Sequence, residues 1–161
     1  GYFLSAQSGN TGGLTWAEAG GGGKINQVIN ASTNSVNATG STSYSNTDLT
    51  ASITPSASNS KILVLTSQMS FISNNAFNQK RYYVNLVRGS TEIAVINVEA
   101  VVNADNSGLR IPVPYNHCYL DSPSTTSSTT YKTQFKVSGS GADMKVQDGW
   151  YSFITLIEVL A

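Results

Sequence analysis

The sequence predicts an all-β protein, an antiparallel β-sandwich of jelly-roll type preceded by a short hairpin. Roughly ten short stretches rich in β-branched and aromatic residues are separated by Gly-, Pro-, Ser- and Asn-rich turns, the pattern of a sandwich. No stretch sustains the 3.6-residue periodicity of a helix. About a third of the 161 residues are Ser, Thr or Asn, which favour turns and strand surfaces over helix interiors.

The elements can be read in order. Tyr2-Phe3-Leu4 and Leu14-Thr15-Trp16 are short apolar arms around a Gly- and Asn-rich turn at Ser8 to Gly13, so residues 1–18 read as a hairpin. Ala19 to Gly23 reads as a Gly-rich joint, and 24–161 as the sandwich. Lys24 to Ala31 alternates, with Ile25, Gln27 and Ile29 on one side and Val28 on the other. Asn34 to Asn46 is a weak, edge-like segment. Leu49 to Thr54 alternates and stops at Pro55. Lys61 to Ile72 is the strongest strand, with Ile62 to Leu65 expected to be buried on both faces. Lys80 to Arg88 and Thr91 to Val98 flank a Gly89-Ser90 turn. Leu109 to Val113 carries Pro112, with Pro114 directly after, which demands an edge or a bend, and His117 to Asp121 reads as a separate short piece. Thr130 to Val137 alternates, and Met144 to Gln147 leads through Asp148-Gly149 into the last strand.

That last strand, Trp150 to Leu160, is apolar on both faces. Tyr151, Phe153, Thr155, Ile157 and Val159 share one face; Trp150, Ser152, Ile154, Leu156 and Leu160 share the other, with Glu158 the only charge. Cover on both sides is therefore expected: a sandwich core on one face and an identical subunit on the other. The competing reading is a central strand inside one subunit. Candidate subunit-interface residues are Tyr151, Phe153, Ile154, Leu156, Ile157 and Val159.

Composition excludes several functions. Nine basic and nine acidic residues cancel, and charged residues are only 11% of the chain. A nucleic-acid surface or an anionic-membrane patch needs clustered Lys and Arg. No apolar run approaches membrane-spanning length, so membrane insertion is not expected. The single cysteine, Cys118, excludes an internal disulfide framework and a multi-thiolate metal site. Gly1 to Ser5 read as the interior of a longer protein.

Catalysis is not expected. The carboxylates are scattered one per element, and the nearest pair in sequence, Asp143 and Asp148, flanks a short hairpin strand. His117 and Cys118 are adjacent, so on a strand they point to opposite faces and form no dyad. No cofactor and no metal are expected; a three-imidazole site from three copies of His117 is the less favoured reading of that residue. Binding is better served by aromatic residues beside amides in loops, because rings stack on sugar faces while Asn, Gln and Arg read hydroxyls. The candidates are Asn75, Phe77 and Arg81 around S-N-N-A-F-N-Q, Tyr115 and His117, and Trp150.

Four groups of residues carry a family likeness. G-Y-F-L-S…G-N-T-G-G-L-T-W before a Gly run, S-I-T-P-S-A-S-N-S-K-I-L-V-L (Ser52 to Leu65), L-V-R-G-S-T-E-I-A (Leu86 to Ala94) and L-D-S-P-S-T-T-S-S-T-T-Y-K-T-Q-F (Leu120 to Phe135), with the closing I-T-L-I-E-V (Ile154 to Val159), resemble the tail-fibre or appendage head domains of bacteriophages, especially marine ones. The resemblance implies a homotrimeric β-sandwich on a virion fibre, with residues 1–18 as an N-terminal hairpin or the end of the fibre shaft. Its implied partners are its own copies, other fibre or tail proteins, and a host-surface glycan or outer-membrane protein. The competing reading is purely structural, a trimerisation cap or a capsid decoration. Ser73 to Gln79 and Asn103 to Tyr119 match no family pattern, so no receptor residue carries over.

Overall fold

The computed structural model describes Tyr2–Ala6, Leu14–Glu18 and residues 24–74, 81–98, 110–139 and 142–160. All of its regular structure is β. β1 (Tyr2–Ala6) and β2 (Leu14–Glu18) form an antiparallel pair, Tyr2 opposite Glu18 and Ala6 opposite Leu14, as the two apolar arms predict. The expected turn at Ser8 to Gly13 and the joint at 19–23 lie outside the described residues.

The remaining strands are β3 (Ile25–Thr33), β4 (Asn37–Thr39), β5 (Ser45–Ile53), β6 (Lys61–Asn74), β7 (Tyr82–Arg88), β8 (Thr91–Val98), β9 (Arg110–Asp121), β10 (Thr129–Val137), β11 (Ala142–Val146) and β12 (Ser152–Val159). They form two antiparallel sheets, β5-β10-β7-β8 and β3-β12-β6, the latter continued by β9 on the other edge of β6. Four strands in each of these orders, 3-12-6-9 and 5-10-7-8, make the two interlocked Greek keys of a jelly roll. β11 and β4 are an addition. β11 pairs with the second half of β6, on the same edge that β12 occupies along the first half, and β4 pairs with the far side of β11.

Alternation decides what lies between the sheets. Ile62 and Val64 of β6, Ile154 and Leu156 of β12, Leu49 and Ile53 of β5, Leu86 of β7 and Tyr131 of β10 form one fully buried cluster. Tyr82, Val84, Tyr115, Phe135, Val137, Met144 and Val146 form a second. Two of the inward polar contacts are hydrogen bonds of the kind that burial favours. Thr47 and Thr133 share a 2.6 Å hydroxyl hydrogen bond, and the Ser70 hydroxyl donates to the Val113 carbonyl at 2.7 Å.

Two buried acids fasten the end of the sandwich where β5 finishes and β6 begins. The Arg88 guanidinium donates to both Asp121 oxygens at 2.9 Å, and the Tyr131 hydroxyl donates to Asp121 Oδ2 at 2.6 Å. β9 of one sheet is thereby tied to β7 and β10 of the other. Glu158, with no exposed surface, accepts from Asn26 Nδ2 at 2.8 Å, Gln27 Nε2 at 2.7 Å, the Ser56 amide at 2.6 Å and the Ser56 hydroxyl at 2.7 Å. Burial alone would push its carboxyl up; these four donors outweigh that and hold it well below the usual carboxylate range. The charge that looks out of place on an apolar strand is the fastening of β12 to β3 and to the turn after β5.

Several expectations are corrected. The two pieces expected at Leu109 to Val113 and at His117 to Asp121 are joined: Arg110 to Asp121 is one twelve-residue strand, β9, paired with β6 from Ile62–Asp121 to Ser73–Arg110, and Leu109 lies outside the described residues. Pro112 and Pro114 are two residues apart, so their missing donors lie on one edge, and a ladder this long survives because that edge faces away from β6. Of Asn34 to Asn46, Asn37–Thr39 forms the edge strand β4, and Ser45 and Asn46 open β5. Ile25 does not share the core with Ile29, because a register shift beside Glu158 turns it to solvent. Ile62 and Val64 are buried but Leu65 is 36% exposed, so β6 is covered on one face only within a single chain. Ile154 and Leu156, expected at a subunit interface, are core residues, since they alternate inward with Ser152 and Glu158.

Ile154→Ala is expected to cost about 2–5 kcal/mol in urea unfolding, because it opens a cavity between the sheets. Phe153→Ala, one residue away on the outer face, should cost less than about 1 kcal/mol within a single chain. Glu158→Gln is expected to lower the urea midpoint at neutral pH. The folded-state carboxyl titrates below its ordinary value of 4.5, so the stabilisation is present above that pH and is lost as pH falls below it. The gap between wild type and E158Q should therefore narrow steadily on acidification below about 4.5.

Candidate functional site

The jelly roll presents two outward sheet faces, and they differ in chemistry. On β3-β12-β6-β9, register places Val28, Ile157, Leu63 and Leu120 side by side across four strands. The next row is Asn30, Thr155, Leu65 and Cys118, and the one after it Ser32, Phe153, Ser67 and Asn116. Val28 is 55% exposed, Leu120 52% and Phe153 44%, and Cys118 is exposed beside them. Tyr151 stacks on Phe153 with ring centroids 6.3 Å apart and extends the apolar row towards the strand entrance. The first row is apolar throughout, whereas the next two mix apolar side chains with hydroxyls and amides.

On β5-β10-β7-β8, the outward positions of β10 are Lys132, Gln134 and Lys136. Lys136 lies opposite Tyr83, and its ammonium sits 4.4 Å from the Tyr44 ring centroid and 5.1 Å from that of Tyr83. One row along, Gln134 lies between Asn46 and Asn85. Gln134 Nε2 donates to Asn46 Oδ1 at 2.8 Å, and Asn85 Nδ2 donates to Glu92 Oε2 at 2.7 Å. Asn85 is 1% exposed, and its Oδ1 has no partner among the described residues. Burial first, then the charge of Glu92 and the neighbouring Tyr83, raise the Tyr44 phenol above its ordinary value. Ring surface, amides, an ammonium and a carboxylate thus meet on one face.

The sequence-predicted candidates fare unevenly. Asn75 and Phe77 lie outside the described residues. Arg81 is exposed just before β7, where its amide donates to the Ser138 hydroxyl at 2.8 Å and its carbonyl accepts from the Ser138 amide at 2.9 Å. Tyr115 is not a loop residue: it is an inward position of β9, buried in the core, where burial pushes its phenol up to about 12. His117 is likewise an inward β9 position, half-buried and stacked on Tyr119 at 6.2 Å, and burial lowers its pKa. It therefore points away from the apolar outer face, and copies meeting on that face would not gather their imidazoles. Among the described residues no three His, Cys, Asp or Glu side chains cluster as metal ligands. Trp150, expected on a covered face of the last strand, instead precedes β12 in the turn and is exposed there, because the strand begins only at Ser152. Of the interface candidates, Tyr151, Phe153, Ile157 and Val159 do share the outer face.

Sequence reasoning passed over Tyr44, Lys136, Gln134 and Asn85. The alternation of Thr130 to Val137 does assign Gln134 and Lys136 to the face opposite Phe135, but cross-strand register alone brings Tyr83, Asn85 and Asn46 beside them.

No family model and no curated protein matches the chain. Among solved structures it is similar to the infectious bursal disease virus VP2 subviral particle, at 11% identity and a TM-score of 0.40 over 99% of this chain and 42% of that one. It is similar also to the Gx strain of that virus, at 10% identity and 0.40 over 92% and 40%, and to its T=1 particles, at 12% and 0.39 over 84% and 36%. The chain spans about two fifths of the length of these proteins. At these values the likeness extends neither to individual residues nor to a role.

Proposed function

We propose that this chain is the non-catalytic binding head of a phage tail fibre or comparable virion appendage, trimeric through its apolar outer face, which attaches the particle to its host. The observation that carries the reading is the exposed apolar row Val28–Ile157–Leu63–Leu120, which one sandwich leaves open and symmetric copies would cover. The family resemblance of the sequence supports the virion setting, and the charge-poor, hydroxyl-rich composition suits contact with a hydrated cell surface. Three equivalent weak sites on a rigid head, repeated over several fibres, give firm attachment by avidity. The partner is a host-surface glycan or outer-membrane protein.

Light scattering at low micromolar concentration is expected to give a mass near three times 17.0 kDa. Leu65→Asp should give monomers that keep their intrachain fold by circular dichroism. The labelled trimer should adsorb to bacterial cells in a strain panel, and the Leu65→Asp monomer should lose that adsorption. A wild-type monomer would overturn the trimeric head. A trimer that adsorbs to no strain would leave the structural cap as the function.

A further inference from the structure

We infer that the outer face of β5-β10-β7-β8 carries a binding site for an uncharged pyranose, with Tyr44 and Tyr83 as ring walls and Gln134, Lys136 and Glu92 reading hydroxyls. The inference deepens the attachment reading and rests on it for biological meaning, but the site stands on its own geometry. It lies on the sheet opposite the apolar face, so self-association through that face leaves it open.

The arrangement is two adjacent rows, one of rings around an ammonium and one of three carboxamides. Each sugar hydroxyl both donates and accepts, so its site needs both kinds of group in alternation. Here they alternate. Among the described residues the Lys136 ammonium contacts only ring faces, which leaves its N–H donors for a ligand. Gln134 has committed its amide nitrogen to Asn46, which leaves its oxygen to accept from a ligand. Asn85, buried beneath this row, positions the Glu92 carboxylate through its own amide nitrogen. Tyrosine rings offer the apolar surface on which the C–H face of a pyranose rests.

The charges select the ligand class. Lys136 and Glu92 have opposite sign and flank the same rows, so a neutral sugar gains a donor and an acceptor. A uronic acid would meet the Glu92 carboxylate, and an amino sugar bearing a free ammonium would meet Lys136.

The test is a titration of the full chain, followed by NMR of tyrosine ring and Asn/Gln side-chain amide signals. The probes are methyl α-D-glucopyranoside, methyl α-D-mannopyranoside and methyl β-D-galactopyranoside, with methyl β-D-glucuronide as the charged control. Saturable shifts of the Tyr44, Tyr83 and Gln134 signals are expected with at least one neutral glycoside. Tyr83→Ala and Gln134→Ala should each weaken that binding by about tenfold or more, whereas Phe153→Ala on the other sheet should leave it unchanged. Shifts with the glucuronide alone, shifts confined to other residues, or no saturable shift with any neutral glycoside would overturn the site; these readings use the wild-type chain and do not depend on any variant folding. Failure of the attachment reading is separable. A chain that adsorbs to cells equally well as Gln134→Ala and binds no glycoside loses this site but keeps attachment, and one that binds a glycoside but no cells keeps the site and loses attachment.

Discussion

The length of β6 governs the architecture. Fourteen residues are more than one partner on its inner edge can match: β12 covers Lys61 to Ser67 and β11 covers Ser70 to Asn74. β9 spans nearly the whole of the opposite edge. Every other member of that sheet takes its register from β6 or from a neighbour of β6. The handover between the two inner partners is made by a tight turn. Gln147 sits there with a left-handed φ of 65°, its amide donating to the Met69 carbonyl, followed by Gly149 at φ 85°. Gln147 is buried, and in the amide orientation its surroundings require it accepts from Gln68 Nε2 at 2.8 Å. Those contacts offset the backbone strain that a non-glycine residue incurs there.

In a chain so poor in charge, the few buried charges carry a disproportionate part of the specificity. Apolar rows tolerate sliding by two residues, because the same face remains inward. Asp121 and Glu158 do not tolerate it, since each accepts several hydrogen bonds from donors on different strands. Both stand at the same end of the sandwich, where β9 and β12 finish, so the register of the two long strands beside β6 is set where they leave the sheet.

Much of this fold was legible in the sequence. Period-two patterning located nearly every strand, and it identified the last strand as apolar on both faces. It could not tell which face turns inward. Tyr151, Phe153 and Ile157 are as hydrophobic as Ile154 and Leu156, and only the placement of Glu158 among Asn26, Gln27 and Ser56 decides between them. The same limit explains Tyr115 and His117. A proline pair read as a break, yet both prolines fall on the unpaired edge of a continuous strand, and a supposed loop becomes an alternating core segment. The aromatic and amide rows on the other sheet were hidden for a different reason. Tyr44, Tyr83 and Lys136 are far apart in sequence and meet only through register.

Alternation has one more consequence, visible in β10. Tyr131, Thr133, Phe135 and Val137 face the core, and Lys132, Gln134 and Lys136 face outward, so one nine-residue strand holds two interleaved sets of positions. Selection can rewrite the outward set without disturbing the inward one. The two outward faces are carried by different sheets as well, Gln134 on one and Leu65 on the other. A lineage built on this scaffold can rewrite either outward face while the core between the sheets stays constant.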